Sequence, residues 1–184
     1  MAAFLLGEAI GRHDLQLKVN IPSRTVRIVI LTLSLLTYAA SFAAFFLLSP
    51  DYRGVVTASL LFSFPGVVTR HILGSLLNSR IPSFPIGTFS SNILATVISA
   101  ISFVLQNVGP IKCHSTPVAM LQGVVDGYTG CLSTVSTFAA EIHVMSRRHA
   151  WRYAIVSCLT AQVVLVLVIG SAKWSGAFQT VTDC

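Results

Sequence analysis

Five apolar stretches succeed one another along the chain, at about 28–49, 54–78, 86–107, 118–145 and 153–172, with only short polar joints between them. Each reaches the ~20 residues that a helix rising ~1.5 Å per residue needs to cross a ~30 Å hydrocarbon core. Five of them in 184 residues leave little sequence from which to build a water-facing surface. Charged residues make up only 10% of the chain and hydrophobic ones 54%, with a mean hydropathy of +0.78. A soluble domain carries roughly a quarter charged residues. The outer surface therefore meets lipid. Backbone polar groups in lipid must be paired inside the protein, so crossings of this length are helices. The expected fold class is an all-α integral membrane protein with five transmembrane helices.

The remaining charges report orientation. Arg12, Lys18, Arg24 and Arg27 precede the first stretch, Arg80 lies between the second and third, and Arg147, Arg148 and Arg152 lie between the fourth and fifth. These eight cations share one side, whereas only Arg53, Lys112 and Lys173 lie on the other. The positive-inside rule places the N-terminus in the cytoplasm and the C-terminus outside. The organisation expected is a cytoplasmic segment 1–27, a first helix 28–49, a four-crossing unit 54–172 and an extracellular tail 173–184. The net charge of +6 is thus a topology signal; nucleic-acid binding would need a continuous basic face, and no such run exists.

Other functional classes find little support. Cys113, Cys131, Cys158 and Cys184 are scattered and read as small hydrophobes, not as a disulfide framework. The five histidines have no ligand spacing. An intramembrane enzyme would need carboxylates and a nucleophile converging in one pocket, but Asp126, Glu141 and His143 fall at different depths. There is no nucleotide-binding motif to drive a pump. Residues 1–11 contain Glu8 and no basic segment before their apolar run, so no cleavable signal peptide is expected.

The fourth stretch differs from the rest. Gly127 and Gly130 are followed by Ser133, Thr134, Ser136 and Thr137, with Glu141 beyond. Two readings stay open. One is a helix broken at Gly127 and Gly130, its freed backbone lining a polar cavity. The other is an unbroken helix with a packing face of small residues. Arg70, in the second stretch, is the costliest residue, because a cation in a crossing costs ~2.5–3.5 kcal/mol on insertion scales. It anchors the helix at the inner surface and adds positive potential there. Glu141 reads either as its counter-ion or as an interfacial group.

Four stretches, in order, resemble the CrcB/Fluc fluoride channels and their eukaryotic two-repeat form, FEX. Gly66-Val67-Val68-Thr69-Arg70-His71 is similar to the family's G-A-x-x-R-Y. Phe84-Pro85-Ile86-Gly87-Thr88, reaching Asn92, is similar to F-P-x-G-T-x-x-x-N. Gly127, Gly130, Thr134, Ser136, Thr137, Phe138 and Glu141 fall in register with G-F-x-G-G-F-T-T-F-S-T-F-S-x-E. Tyr153 and Ser157 stand at the spacing of the family's tyrosine and serine. Val135 replaces the first phenylalanine of the family's pair, Cys131 and Leu132 replace a glycine and an aromatic, and Ala95 replaces a glycine.

The resemblance implies a passive fluoride channel or exporter half rather than an enzyme. Its expected partner is an inverted second Fluc-like repeat, in the same polypeptide or a separate chain, within the lipid of the plasma membrane. Helix 28–49 becomes the linker of the two-repeat form, and 54–172 a four-helix unit whose third helix is broken; residues 1–27 become the tail of a missing first repeat. Asn92, Ser136, Thr137, Phe138, Tyr153 and Ser157 are expected to line the fluoride path: the amide and hydroxyls as donors, Phe138 through its positive ring edge. Arg70 and Glu141 would supply vestibule or structural charge. No cofactor is expected beyond a structural sodium ion, held on the backbone carbonyls of Gly130 and Ser133. The alternative, prompted by Val135, is a non-conducting structural or degenerate-pore subunit, or a fragment.

Overall fold

A computed structural model describes residues 24–47, 58–81, 83–107, 115–176 and 178. Residues 1–23 of the N-terminal segment, the joints 48–57 and 108–114, and the tail positions 177 and 179–184 lie outside the described residues, as do Cys113 and Cys184. Two compact units result, residues 1–37 and 38–184.

The described part of the first unit is helical from Arg24 onward, within α1 (Arg24–Leu47). Thr32 and Thr37 turn their hydroxyls back onto the carbonyl oxygens of Ile28 and Leu33, at 2.8 and 2.9 Å. This satisfies both hydroxyls within the helix. Leu31 and Leu35 are exposed, as are most of the helix's large apolar side chains. A helix apolar on every side is a membrane helix.

In the second unit the crossings are α2 (Ala58–Leu77), α3 (Ile86–Asn107), a segmented fourth crossing, and α7 (Arg147–Trp174). The fourth comprises α4 (Ser115–Gly123), a π-helical segment (Val124–Thr129), a short α5 (Gly130–Leu132) and α6 (Val135–Val144). Four helices, α1, α2, α3 and α7, are long and apolar enough to cross a membrane. The fourth crossing is not one of these because its pieces are each too short. Among the described residues all regular structure is helical, and the chain is an integral membrane protein.

Packing explains the small residues. α2 lies against the π-helical segment and α3, and α3 lies against α7. Between lipid-bathed helices apolar burial supplies little drive, so close backbone approach and dispersion must hold the contact. Ala58, Ser91, Ala95 and Ala100 are almost fully buried there. A Cβ added at Gly127 would stand 2.1 Å from the Ser59 carbonyl oxygen, and one at Gly66 would stand 2.4 Å from that of Tyr128. These two glycines let α2 and the fourth crossing touch backbone to backbone.

The break is real but displaced from where the glycines suggested it. Gly127 lies inside the π-helical segment, and Gly130 has ordinary helical angles, φ −62° and ψ −38°. The extended residues are Ser133 (φ −75°, ψ 155°) and Thr134 (φ −154°, ψ 126°). Gly127 serves packing, Gly130 continues the helix, and the interruption comes from a tertiary competitor for the backbone.

Candidate functional site

That competitor is Asn92, on α3. In an unbroken helix the Thr134 N–H would bond to the carbonyl of Gly130, four residues back. Instead it donates to Asn92 Oδ1 at 2.8 Å. Asn92 Nδ2 in turn lies 3.5 Å from the Thr134 carbonyl oxygen, which accepts from it. One side-chain amide thus pairs with both backbone groups of the extended residue, as a neighbouring strand would. α6 then restarts with Thr134 as its N-cap, whose Oγ1 accepts from the Thr137 N–H at 3.3 Å. Thr134→Val should lower the melting temperature of the detergent-solubilised protein, for a loss of about 1 kcal/mol typical of a deleted N-cap. An unchanged melting temperature would show that Asn92 alone holds the break.

A cleft of about 270 Å³ opens at this break, and Asn92, Thr96, Thr134, Phe138 and Ser157 line it together with Val135. Ser157 is 8% exposed. Among the described residues its Oγ is the one buried side-chain oxygen or nitrogen without a hydrogen-bond partner. Such an atom is costly, since an unsatisfied buried hydroxyl forfeits about 1–3 kcal/mol. The N-terminus of α6, with its outward N–H groups and partial positive charge, ends at the same cleft.

The other expected site residues fall into separate groups. Arg70 donates from Nη2 to Thr137 Oγ1 at 2.5 Å. A guanidinium has only donors, so Thr137 must accept here and keeps its own hydrogen for another acceptor. Tyr153 is fully buried and its hydroxyl donates to Glu141 Oε2 at 3.0 Å. Thr88 donates to Glu141 Oε1 at 2.6 Å. Glu141 is therefore not the counter-ion of Arg70: its carboxylate is held by two hydroxyls, and Arg70 is held by a third. Nor is the Tyr153 hydrogen aimed at the cleft, because the carboxylate takes it. Ser136 is exposed, its hydroxyl 3.2 Å from Thr134 Oγ1, and it does not line the cleft.

The Tyr153 ring contributes in another way. It packs on Phe138 with ring centroids 4.9 Å apart and on Phe84 at 5.0 Å, the latter nearly edge to face. Phe138 is thus set in place from behind by a tyrosine that Glu141 fixes. Two residues of this array escaped the sequence reading as site residues, Thr88 and Asn78. Asn78 Oδ1 accepts the Thr88 N–H at 3.1 Å, and its Nδ2 donates to Thr88 Oγ1 at 3.3 Å. Gly87 makes this possible, since a Cβ there would lie 2.4 Å from the Leu73 carbonyl oxygen. The signal available was Thr88 itself, a polar residue in the opening turn of an apolar helix.

Comparison with known proteins places these features in context. The family model described as CrcB-like protein, Camphor Resistance (CrcB), matches residues 57–173. Fluoride export protein 1 of Neurospora crassa is 39% identical over 131 residues, covering 69% of this chain and 24% of that protein. Fluoride export protein 1 of Schizosaccharomyces pombe is 30% identical over 189 residues, 97% of this chain and 60% of the relative. The fluoride-specific ion channel FluC of Chromobacterium violaceum is 30% identical over 111 residues, 59% of this chain and 85% of that protein. The chain thus spans about a quarter to three fifths of the length of these two fungal relatives, which are named for export, as the bacterial one is for conduction. With the matched residues containing every crossing of the second unit and the whole Asn92–Thr134 break, the chain belongs to the CrcB-like family.

Proposed function

We propose that this chain is one half of a passive fluoride channel that lowers cytoplasmic fluoride, the other half being an inverted Fluc-like unit against which the cleft closes. The observation that carries this reading is the Ser157 hydroxyl: buried, without a partner, and facing the same cleft as the Asn92 amide and the Phe138 ring. Fluoride is small and strongly hydrated. It enters a narrow path only where fixed donors replace its water, and a preorganised hydroxyl that no protein group satisfies is such a donor. Phe138 adds a ring edge of partial positive charge, and the α6 N-terminus adds its dipole.

Tyr153 acts here as a positioning residue, and Thr137, polarised by Arg70, is the next donor toward the inner surface. The residues also suit a central sodium ion. The Gly130 carbonyl has lost its helical partner to Asn92, and the extended Ser133 turns its own carbonyl out of the helix. Such oxygens match the hard-cation preference for oxygen ligands. The eight-to-three distribution of cations supports an orientation with the N-terminus inside and the C-terminus outside, and the plasma membrane is the location that the channel reading implies.

The test is fluoride efflux from liposomes in which this chain is reconstituted with its complementary unit. Ser157→Ala should slow efflux by about tenfold, the loss of one donor bond of ~1.5 kcal/mol to a charged group. Val135, 81% exposed on the cleft wall, favours a second reading in which this half borders a degenerate pore. Efflux at the parent rate in Ser157→Ala, with the assembly intact, would select that reading.

A further inference from the structure

The cytoplasmic corner between α6 and α7 is a second opening, one helical turn beyond the cleft, with Ile142 and Ala154 four residues from Phe138 and Cys158. α7 holds 28 residues, about 42 Å at helical rise, and so overreaches the ~30 Å core. Trp151 and Trp174, exposed at 67% and 76%, stand near its two ends, about 34 Å apart along the axis by the same rise. That spacing puts one indole at each membrane–water boundary, where tryptophan concentrates. Beside Trp151 a groove of about 490 Å³ runs between the two helices, lined by Ile142, Met145, Ala150, Trp151 and Ala154, with His143 and Arg147 as its polar groups. Arg148 and Arg152 occupy the adjoining stripe of α7, one turn apart. All three arginines are exposed and have no ion-pair partner among the described residues.

We propose that this groove is a binding site for one anionic phospholipid, its headgroup phosphate on Arg147 with Arg148 and Arg152 beside it, and an acyl chain along Ile142, Ala150 and Ala154. Charge complementarity carries the assignment. The corner lies on the inward side by its cations, and the cytoplasmic leaflet is the one that carries anionic lipids. Below the arginines the wall is mostly apolar, with His143 its other polar side chain, which suits a lipid tail better than a fully polar ligand. The proposal does not depend on conduction, and neither does its test.

The test is to reconstitute the full chain carrying Trp174→Phe, so that Trp151 is the one tryptophan, and to measure its quenching by brominated phosphatidylserine and by brominated phosphatidylcholine at equal mole fraction. Phosphatidylserine should associate about fivefold more strongly, the gain expected for one arginine engaged at an anionic surface. Arg147→Gln should bring the ratio close to one without altering helicity or quenching by phosphatidylcholine. Arg80→Gln, an inward cation on another joint, should leave the ratio unchanged. Equal quenching by the two lipids in the parent overturns the proposal, as does an equal response to both arginine substitutions, which would reveal a diffuse field. Absence of quenching by either lipid would show the face covered by protein and would overturn it as well. Loss of the excess on adding inorganic phosphate would assign the site to the free ion and overturn the lipid reading. Should Arg147→Gln fail to reconstitute, the parent ratio and its response to phosphate decide.

Discussion

Asn92→Asp is expected to abolish fluoride efflux from liposomes containing the chain and its complementary unit, by about a hundredfold or more. Asn92 Oδ1 accepts the Thr134 N–H at 2.8 Å, and an aspartate oxygen accepts there equally well. The break at Ser133–Thr134 and the α6 cap should therefore persist, with helicity and assembly unchanged. Two other things change. The Nδ2 donor disappears from the cleft, leaving the Thr134 carbonyl and any anion without it. A carboxylate also arrives beside the path, where an ionised acid costs ~2.5–3.5 kcal/mol at mid-membrane and repels the permeant ion at short range. Each 1.4 kcal/mol added to a barrier is tenfold in rate, so the two effects together exceed the loss expected for Ser157→Ala. Efflux at the parent rate in a properly assembled Asn92→Asp protein would remove this cleft from the conduction path.

How much of this was legible in the sequence depends on whether the physics is local. Helices α1, α2, α3 and α7 follow from unbroken apolar length, a property of each segment by itself; the α3 stretch was expected at 86–107 and lies at Ile86–Asn107. The hydroxyl residues and glycines of the fourth crossing left an interruption and an unbroken packing helix equally open, and the family resemblance pointed to the interruption. Neither told where it would fall, because the decisive group is an amide 42 positions away that takes the Thr134 N–H. Gly127 resembles a helix breaker only until Ser59 is seen pressed against it.

The same distinction governs the charges. Arg70 and Glu141 invite pairing on composition alone, yet each found hydroxyls nearer to hand, Thr137 for one and Thr88 with Tyr153 for the other. A carboxylate in a membrane that accepts two hydroxyl donors needs no cation. The direction of a hydroxyl hydrogen, which disqualifies Tyr153 as a donor to the cleft, is set by that partner and is invisible in sequence. Asn78 was missed for a related reason: it accepts the N–H of Thr88, ten residues later, in the first turn of a helix that begins at Ile86 across a turn, whereas an ordinary cap precedes its helix directly.

Two of the three glycines of the fourth crossing, Gly127 and Gly130, should respond oppositely to alanine, and the contrast tests the packing and the partner together. At Gly127 a methyl would meet backbone, the Ser59 carbonyl oxygen at 2.1 Å and its carbon at 2.8 Å. No side chain can rotate away to make room, so α2 and the π-helical segment must separate. Overpacking of this kind costs about 1–3 kcal/mol, and Gly127→Ala should lower the melting temperature of the chain in detergent and broaden its elution. At Gly130 the nearest atom to a methyl is the Val125 carbonyl oxygen at 3.9 Å, and the residue is exposed. Its angles are those of an ordinary α-helix, so Gly130→Ala gains up to about 1 kcal/mol of helix propensity and should raise the melting temperature of the chain alone. In the assembly proposed above, the same methyl would face the inverted unit. If Gly130→Ala stabilises the lone chain but weakens its association with the complementary unit, the exposed face of α5 is the seam between the halves. If it stabilises both alike, that seam lies elsewhere, and the cleft at Asn92 does not close in the way proposed.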